Sequence, residues 1–293
     1  MTILLTGVNG QIGFELARTL QGLGRVIAPD RNTLDLRDLD RVRNFVRETK
    51  PEVIVNPAAY TAVDRAEDER DEAHRLNAEL PALFASECAR TNAWFVHYST
   101  DYVFDGAKSS PYVETDAAAP LNVYGEAKLA GERAIAQSGC RHLILRTSWV
   151  YGARGANFMR TILRLAEQRP ELTIVADQFG APTWSRTIAE LTANMLSQIA
   201  AAERNRSVAF DEHRGIYHLT NHGRTSWYEF AREILRIWGK EDQTRIEPIP
   251  AAAYPVRARR PVNSCLSNEK LAKVFGLVAP DWLRALELCA QQG

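Results

Sequence analysis

The feature that most constrains this chain lies at its start. Thr2-Ile3-Leu4-Leu5-Thr6 is a short, β-rich apolar run, and Gly7-Val8-Asn9-Gly10-Gln11-Ile12-Gly13 follows at once. Ile12, Leu16, Leu20 and Leu23 then recur at helical spacing, with Gly22 and Gly24 closing the helix. A strand, a glycine-rich turn and a helix in this order make an anion site. The amides at the start of the helix face the ligand, and the helix dipole favours a pyrophosphate there. Gly7 allows the tight turn, Gly10 lets the backbone approach phosphate, and Gly13 lets the helix pack close to the strand. The spacing is GxxGxxG, not GxGxxG; its position directly after a strand gives it weight. The stretch Gly10, Gln11, Ile12, Gly13 is therefore expected to hold a dinucleotide.

The next segments extend that unit. Arg25-Val26-Ile27-Ala28-Pro29 reads as a second strand ending at Asp30-Arg31. An acidic residue at this point bonds the adenosine ribose hydroxyls, whereas an arginine accepts a 2′-phosphate. Both are present, so NADPH and NADH both remain open. Asp35-Leu36 is where the adenine edge is bonded, or else Asp35 and Asp38 are helix N-caps. Val53-Ile54-Val55-Asn56 is a third buried strand, and the small residues of Ala58-Ala59-Tyr60-Thr61 after it suit close approach to the cofactor. Helical periods and buried runs go on alternating through Trp94–Ser99 and His142–Arg146. That alternation predicts an α/β fold, a Rossmann-type doubly wound parallel sheet, with its ligand at the carboxyl ends of the strands.

Those ends are where the chemistry-bearing residues fall. Thr100-Asp101 closes one strand, and Tyr124 and Lys128 follow in Leu121-Asn122-Val123-Tyr124-Gly125-Glu126-Ala127-Lys128. In a helix they lie one turn apart on one face. A phenol is a weak acid, with a pKa of about 10. A lysine ammonium beside it favours the phenolate and is expected to lower that value. Thr100 supplies a hydroxyl to the same substrate oxygen. The spacing alone also fits a surface pair; the convergence of the glycine turn, Thr100, Tyr124 and Trp149 on one sheet edge overturns that reading.

Composition excludes other classes. The 36 basic and 36 acidic side chains cancel, which argues against nucleic acid or a membrane surface held by bulk charge. The four cysteines form no CxxC pair and no metal-ligand spacing with the six histidines. They read as reduced thiols. The chain opens directly with a strand, and no apolar run approaches membrane-spanning length, so a cytoplasmic protein is expected and Asn205-Arg206-Ser207 is an accidental sequon.

Beyond Tyr151 the pattern loosens. Residues 1–150 are expected to form the NAD(P)-binding domain, with segments near 184–222 returning to it. Residues 151–293 form mainly a smaller, interleaved substrate-binding lobe. Residues 200–214 read as an exposed connection, and Arg257-Ala258-Arg259-Arg260-Pro261 as a cationic loop.

Taken together, Gly7-x-x-Gly10-x-x-Gly13, Ser99-Thr100-Asp101-Tyr102-Val103-Phe104, Tyr124-x-x-x-Lys128, Arg146-Thr147-Ser148-Trp149-Val150-Tyr151 and Asp177-Gln178-Phe179-Gly180-Ala181-Pro182-Thr183 resemble the extended short-chain dehydrogenases/reductases. Within that superfamily the chain is similar to the dTDP-4-dehydrorhamnose reductase family, over nearly its whole length. The resemblance implies hydride transfer from NADPH, with NADH also usable, to the C4 ketone of a dTDP-sugar. It implies that Tyr124 protonates the alkoxide, Lys128 bonds the nicotinamide ribose and Thr100 positions the oxygen. It further implies that Asp101 bonds a sugar hydroxyl, that Trp149 packs on the sugar and that Arg259 contributes to substrate binding. Some relatives form metal-bridged dimers through glutamates. Glu15 is retained, but Arg186 stands where a glutamate is expected and the tail ends Gln291-Gln292-Gly293, so no metal is expected and a homodimer stays open.

Two other functions compete. One is a nucleotide-sugar epimerase or dehydratase. A dehydratase needs a second carboxylate directly after Asp101, and Tyr102 stands there. The other is a non-catalytic, NADP-binding regulatory subunit, which does not require the full set of Thr100, Tyr124 and Lys128.

Overall fold

The structure, a computed structural model, describes residues 1–205 and 213–291. Most of the connection expected over 200–214, the sequon beyond Asn205 and the last two residues of the tail lie outside the described residues.

The first half alternates as the sequence requires. β1 (Thr2–Leu5), α1 (Gln11–Thr19), β2 (Arg25–Ile27), α2 (Leu39–Thr49) and β3 (Val53–Asn56) come first. Short helices α3 (Val63–Ala66) and α4 (Arg70–His74) lead to α5 (Leu80–Thr91), β4 (Trp94–Thr100), α6 (Val123–Gln137) and β5 (Arg141–Thr147). The charged run after Asp64 is thus helical. Between α4 and α5 the backbone widens into a π-turn over Arg75–Glu79. Pro81 lacks the N–H that would close an α-helical bond to Asn77, so the helix resumes around it.

The second half adds β6 (Val150–Tyr151), α7 (Phe158–Ala166), β7 (Glu171–Val175), β8 (Phe179–Gly180), β9 (Thr183–Trp184) and the long α8 (Ser185–Arg204). β10 (Gly215–His218), β11 (Thr225–Ser226), α9 (Trp227–Ile237), β12 (Arg245–Ile249), α10 (Glu269–Phe275) and α11 (Trp282–Ala290) complete it. α8 is the longest of these helices, at 20 residues.

The main sheet is parallel throughout, in the order β10-β5-β4-β3-β1-β2. Its order reverses between β1 and β3, and ligands bind at the carboxyl side of such a switch point. Both faces are covered, which is why these strands read as unbroken apolar runs. One face buries Leu5, Val55, Val96 and Leu145 against α1 and α8. The other buries Leu4, Ile54, Phe95 and Ile144 against α2, α5 and α6. A separate core around Tyr151, Met159, Phe230 and Leu286 packs α7, α9 and α11 together.

Candidate active site

A cleft of about 1140 Å³ opens at the carboxyl ends of β1, β2 and β3. Gly7 and Gly10 form its floor, Ala58, Ala59, Tyr60 and Thr61 one wall, and Asp30, Arg31, Asp35 and Leu36 the far end. Gly7 sits at φ +59°, and a Cβ there would stand 2.9 Å from the amide nitrogen of Ala58. A Cβ on Gly13 would stand 2.1 Å from the Gly7 carbonyl oxygen. The turn is packed to the limit of bare backbone, which fits a dinucleotide pyrophosphate. Gln11, Ile12 and Gly13 open α1 and lie outside the cleft lining. Gln11 donates to the Val150 carbonyl at 3.3 Å and accepts from Asn157 at 2.9 Å, so it ties the turn to the second lobe.

The acidic residues at the far end are already engaged. Exposed Asp30 accepts from the Thr33 amide at 2.8 Å and its hydroxyl at 2.9 Å, which holds its carboxyl below the usual range. Asp35 binds Arg37 at 2.5 Å, and hydrogen bonds from Arg37 bring its pKa down to about 2. Of the two suggested N-caps, Asp38 caps α2 through the Arg41 amide at 3.0 Å.

The candidate reaction centre lies farther along the same edge. Thr100 ends β4, donates to Asp101 at 3.0 Å and accepts from the Tyr102 amide at 3.2 Å. Asn122 caps α6 by accepting from the Gly125 amide at 2.8 Å. A Cβ on Gly125 would stand 2.2 Å from the Tyr102 carbonyl, so glycine lets the helix start sit directly on Tyr102. Tyr124, half-buried, then meets the Tyr102 ring edge-on at 5.9 Å. Asp101 is buried, and its Oδ2 has no partner among the described residues. Burial pushes its pKa up to about 6, with the nearby hydroxyls of Ser264 and Thr100 pulling the other way.

The electrostatics of Tyr124 differ from the expectation. Burial pushes its phenol up to about 12, and a hydrogen bond with Thr100 pulls the other way. Lys128 is not among the groups that lower it. The ammonium is turned instead to the Tyr98 carbonyl at 2.5 Å and His97 Nε2 at 3.1 Å. Its own pKa falls to about 7 through burial, with Glu132 opposing.

Trp149 follows β5 at φ +48°, a left-handed conformation that costs an L-residue about 1–2 kcal/mol. Its indole stacks on Trp227 at 3.5 Å and 9°, which holds it there. The Arg259 side chain is exposed, while its carbonyl accepts from Asn122 at 2.8 Å. The cationic loop is therefore pinned by its backbone to the cap of α6. Sequence reasoning missed Trp227, His97 and Asn56. The last two carried one signal, polar side chains inside otherwise apolar strand runs.

Among the described residues no group of His, Cys, Asp and Glu is arranged to hold a metal ion, and no helix is long and apolar enough to cross a membrane. Arg186 donates to Glu190 at 2.9 Å.

Comparison with known proteins gives concordant matches. The whole chain, residues 1–293, matches the family described as RmlD substrate binding domain. A dTDP-4-dehydrorhamnose reductase of Burkholderia thailandensis is 51% identical, over 99% of this chain and 98% of that protein. The crystal structure of a dTDP-4-dehydrorhamnose reductase from Clostridium acetobutylicum superposes with a TM-score of 0.91 at 35% identity, covering 100% of this chain and 99% of that one. A Bacillus anthracis dTDP-4-dehydrorhamnose reductase, solved in complex with NADP, gives 0.88 at 33% identity over 100% and 99% of the two chains.

Proposed function

The chain belongs to the RmlD substrate binding domain family, and from that premise we propose how its own residues act as an NAD(P)H-dependent reductase of the C4 ketone of dTDP-4-dehydro-L-rhamnose. The observation that supports the reading is a cleft around the Gly7 turn at the carboxyl end of β3, with the neighbouring strand β4 ending in Thr100 and Asp101 and Thr100 hydrogen-bonded to Tyr124, although none of these three lines the cleft.

NAD(P)H supplies the hydride when bound, and Gly7, Gly10 and the Ala58–Thr61 wall would hold it. Thr100 and Tyr124 take the ketone oxygen between two hydroxyls. Tyr124 gives up its proton as that oxygen becomes a hydroxyl. Lys128 would hold the nicotinamide ribose and, with the cofactor bound, its charge would favour loss of the tyrosine proton. The unpartnered Oδ2 of Asp101 is supplied for a sugar hydroxyl, since a buried carboxylate oxygen without a donor is costly. Trp149, set by Trp227, offers a flat apolar face to the sugar.

The dehydratase alternative lacks its base. Burial pushes the Tyr102 phenol up, away from any proton-accepting role at neutral pH. Glu114 accepts from the His218 amide at 2.9 Å and is thereby committed to β10, and Glu126 is exposed. We place the protein in the cytoplasm, on four buried cysteines that are all free.

The deciding assay follows NADPH oxidation with dTDP-4-dehydro-L-rhamnose, repeated with NADH. Stoichiometric turnover to dTDP-L-rhamnose is expected. NADPH binding without turnover would make the protein a regulatory module. Formation of a 4-keto-6-deoxy sugar from dTDP-glucose with catalytic NAD⁺ would make it a dehydratase.

A further inference from the structure

A chain of buried side chains that the reaction above does not use runs beneath Lys128. His97 Nε2 lies 3.1 Å from the Lys128 nitrogen, and His97 Nδ1 lies 3.4 Å from Nδ2 of Asn56. Oδ1 of Asn56 accepts from the Thr6 hydroxyl at 2.6 Å. The chain crosses the neighbouring strands β4, β3 and β1. None of Thr6, Asn56, His97 and Lys128 is more than 1% exposed. Polar groups so deep in a sheet cost free energy unless each finds a partner. An ammonium has three donors. The Tyr98 carbonyl takes one from the sheet side and His97, in the tautomer that leaves Nε2 bare, takes a second, which leaves one for a ligand hydroxyl.

We propose that His97 is the positioning residue of Lys128: its imidazole, fixed by Asn56 and Thr6, aims the lysine head and sets its charge through the tautomer it adopts. This rests on the reading of Lys128 as the group that holds the ribose and serves Tyr124.

Two hydrogen-bond patterns close the chain. With the Asn56 amide as the Thr6 bond sets it, Nδ2 donates to His97 Nδ1. The ring proton then sits on Nε2 and donates to an uncharged lysine. With the amide turned over, Asn56 Oδ1 accepts from Nδ1–H, and the bare Nε2 accepts from a charged lysine. The Thr6 hydroxyl donates in the first pattern and accepts in the second. Amide orientation, imidazole tautomer and lysine charge therefore change together. Burial holds His97 well below its ordinary pKa, so the ring stays neutral in both. The charged group that acts on Lys128 is Glu132 on its own helix, itself bound by Arg146 of β5. The π-turn packed on α6 carries Asn77, whose side-chain amide is taken up by the Tyr60 backbone, and, at its two ends, Arg75 and Glu79.

The test is the pH dependence of kcat and of kcat/KM for NADPH in keto-sugar reduction. His97→Leu removes an acceptor from the ammonium, so the alkaline limb moves down by about one pH unit and kcat falls by about tenfold or more. His97→Gln, whose Oε1 reaches the Nε2 position, restores the limb and brings the rate to within roughly threefold. His97→Asn reaches only Asn56 and restores neither. A His97→Leu enzyme with the wild-type profile and undiminished kcat overturns the proposal. So do equal losses in the Gln and Asn variants with an unshifted limb. If His97→Leu does not fold, the Gln and Asn pair decides alone. Lys128→Ala is measured beside them. Full turnover in that variant sinks the reading of Lys128 itself, whereas its inactivity beside normal His97 variants sinks only the present inference.

Discussion

Glu132 takes the guanidinium edge of Arg146 with both carboxylate oxygens, at 2.9 and 2.6 Å, one helical turn beyond Lys128. Neither partner is more than 4% exposed at its side chain. The pair pins α6 to β5 and neutralises a carboxylate that would otherwise act unopposed on Lys128.

Arg146→Met should therefore leave a buried, unpaired charge. The expected loss of stability is about 3–5 kcal/mol, measured by urea unfolding at pH 7. Replacing both partners by apolar residues should recover most of it. A single variant as stable as the parent would show that the pair is not a fixed part of the core.

Tyr124→Phe keeps the ring against Tyr102 and removes the proton donor. Turnover should fall by roughly a hundred- to ten-thousandfold, while NADPH affinity measured by fluorescence titration stays the same. Near-normal reduction in the Phe variant would take the proton-donor role away from Tyr124.

Asp101 makes stability depend on pH. Its folded pKa of about 6 is raised above the model-peptide value, so the native state binds the extra proton. Stability from this group is fully present below the unfolded pKa near 4, and falls as pH rises from there through 6. At pH 7 the penalty is on the order of 3 kcal/mol. Asp101→Asn should raise the melting temperature at pH 7 more than at pH 4.5, and weaken substrate binding. Equal melting shifts at both pH values would place the strain elsewhere.

Asp30→Asn keeps a carbonyl for the Thr33 amide but removes the charge at the far end of the cleft. Loss of a ribose acceptor should lower kcat/KM with NADH, and loss of repulsion should spare or improve it with NADPH. Parallel losses for the two cofactors would show that the 2′ position is not read at Asp30.

The parts legible in the sequence are those set by local spacing. A parallel sheet covered on both faces writes its strands as apolar runs, and a helix writes Tyr124 and Lys128 one turn apart. Strand order is not written locally. The bond from His97 to Asn56 exists because β4 lies beside β3, and the one from Asn56 to Thr6 because β3 lies beside β1. The same limit hid the stack of Trp149 on Trp227, which are remote in the chain. Lys128 illustrates a second limit. Its spacing from Tyr124 is right, yet burial, the Tyr98 carbonyl and the His97 ring decide where its head points.

The cationic loop has one further mechanical meaning. Arg260 binds Asp64 at 2.7 Å, the Ala258 amide binds the same carboxylate at 3.1 Å, and Arg257 pairs with Asp68. Asp64 lies in α3, while Arg65 and Asp68 line the cofactor cleft. The same loop is tied to the cap of the helix that carries Tyr124. An outward swing of residues 257–260 breaks three attachments to the wall that faces the dinucleotide. A displacement of residues 257–260 would therefore disturb the wall of the cleft and the start of the Tyr124 helix together.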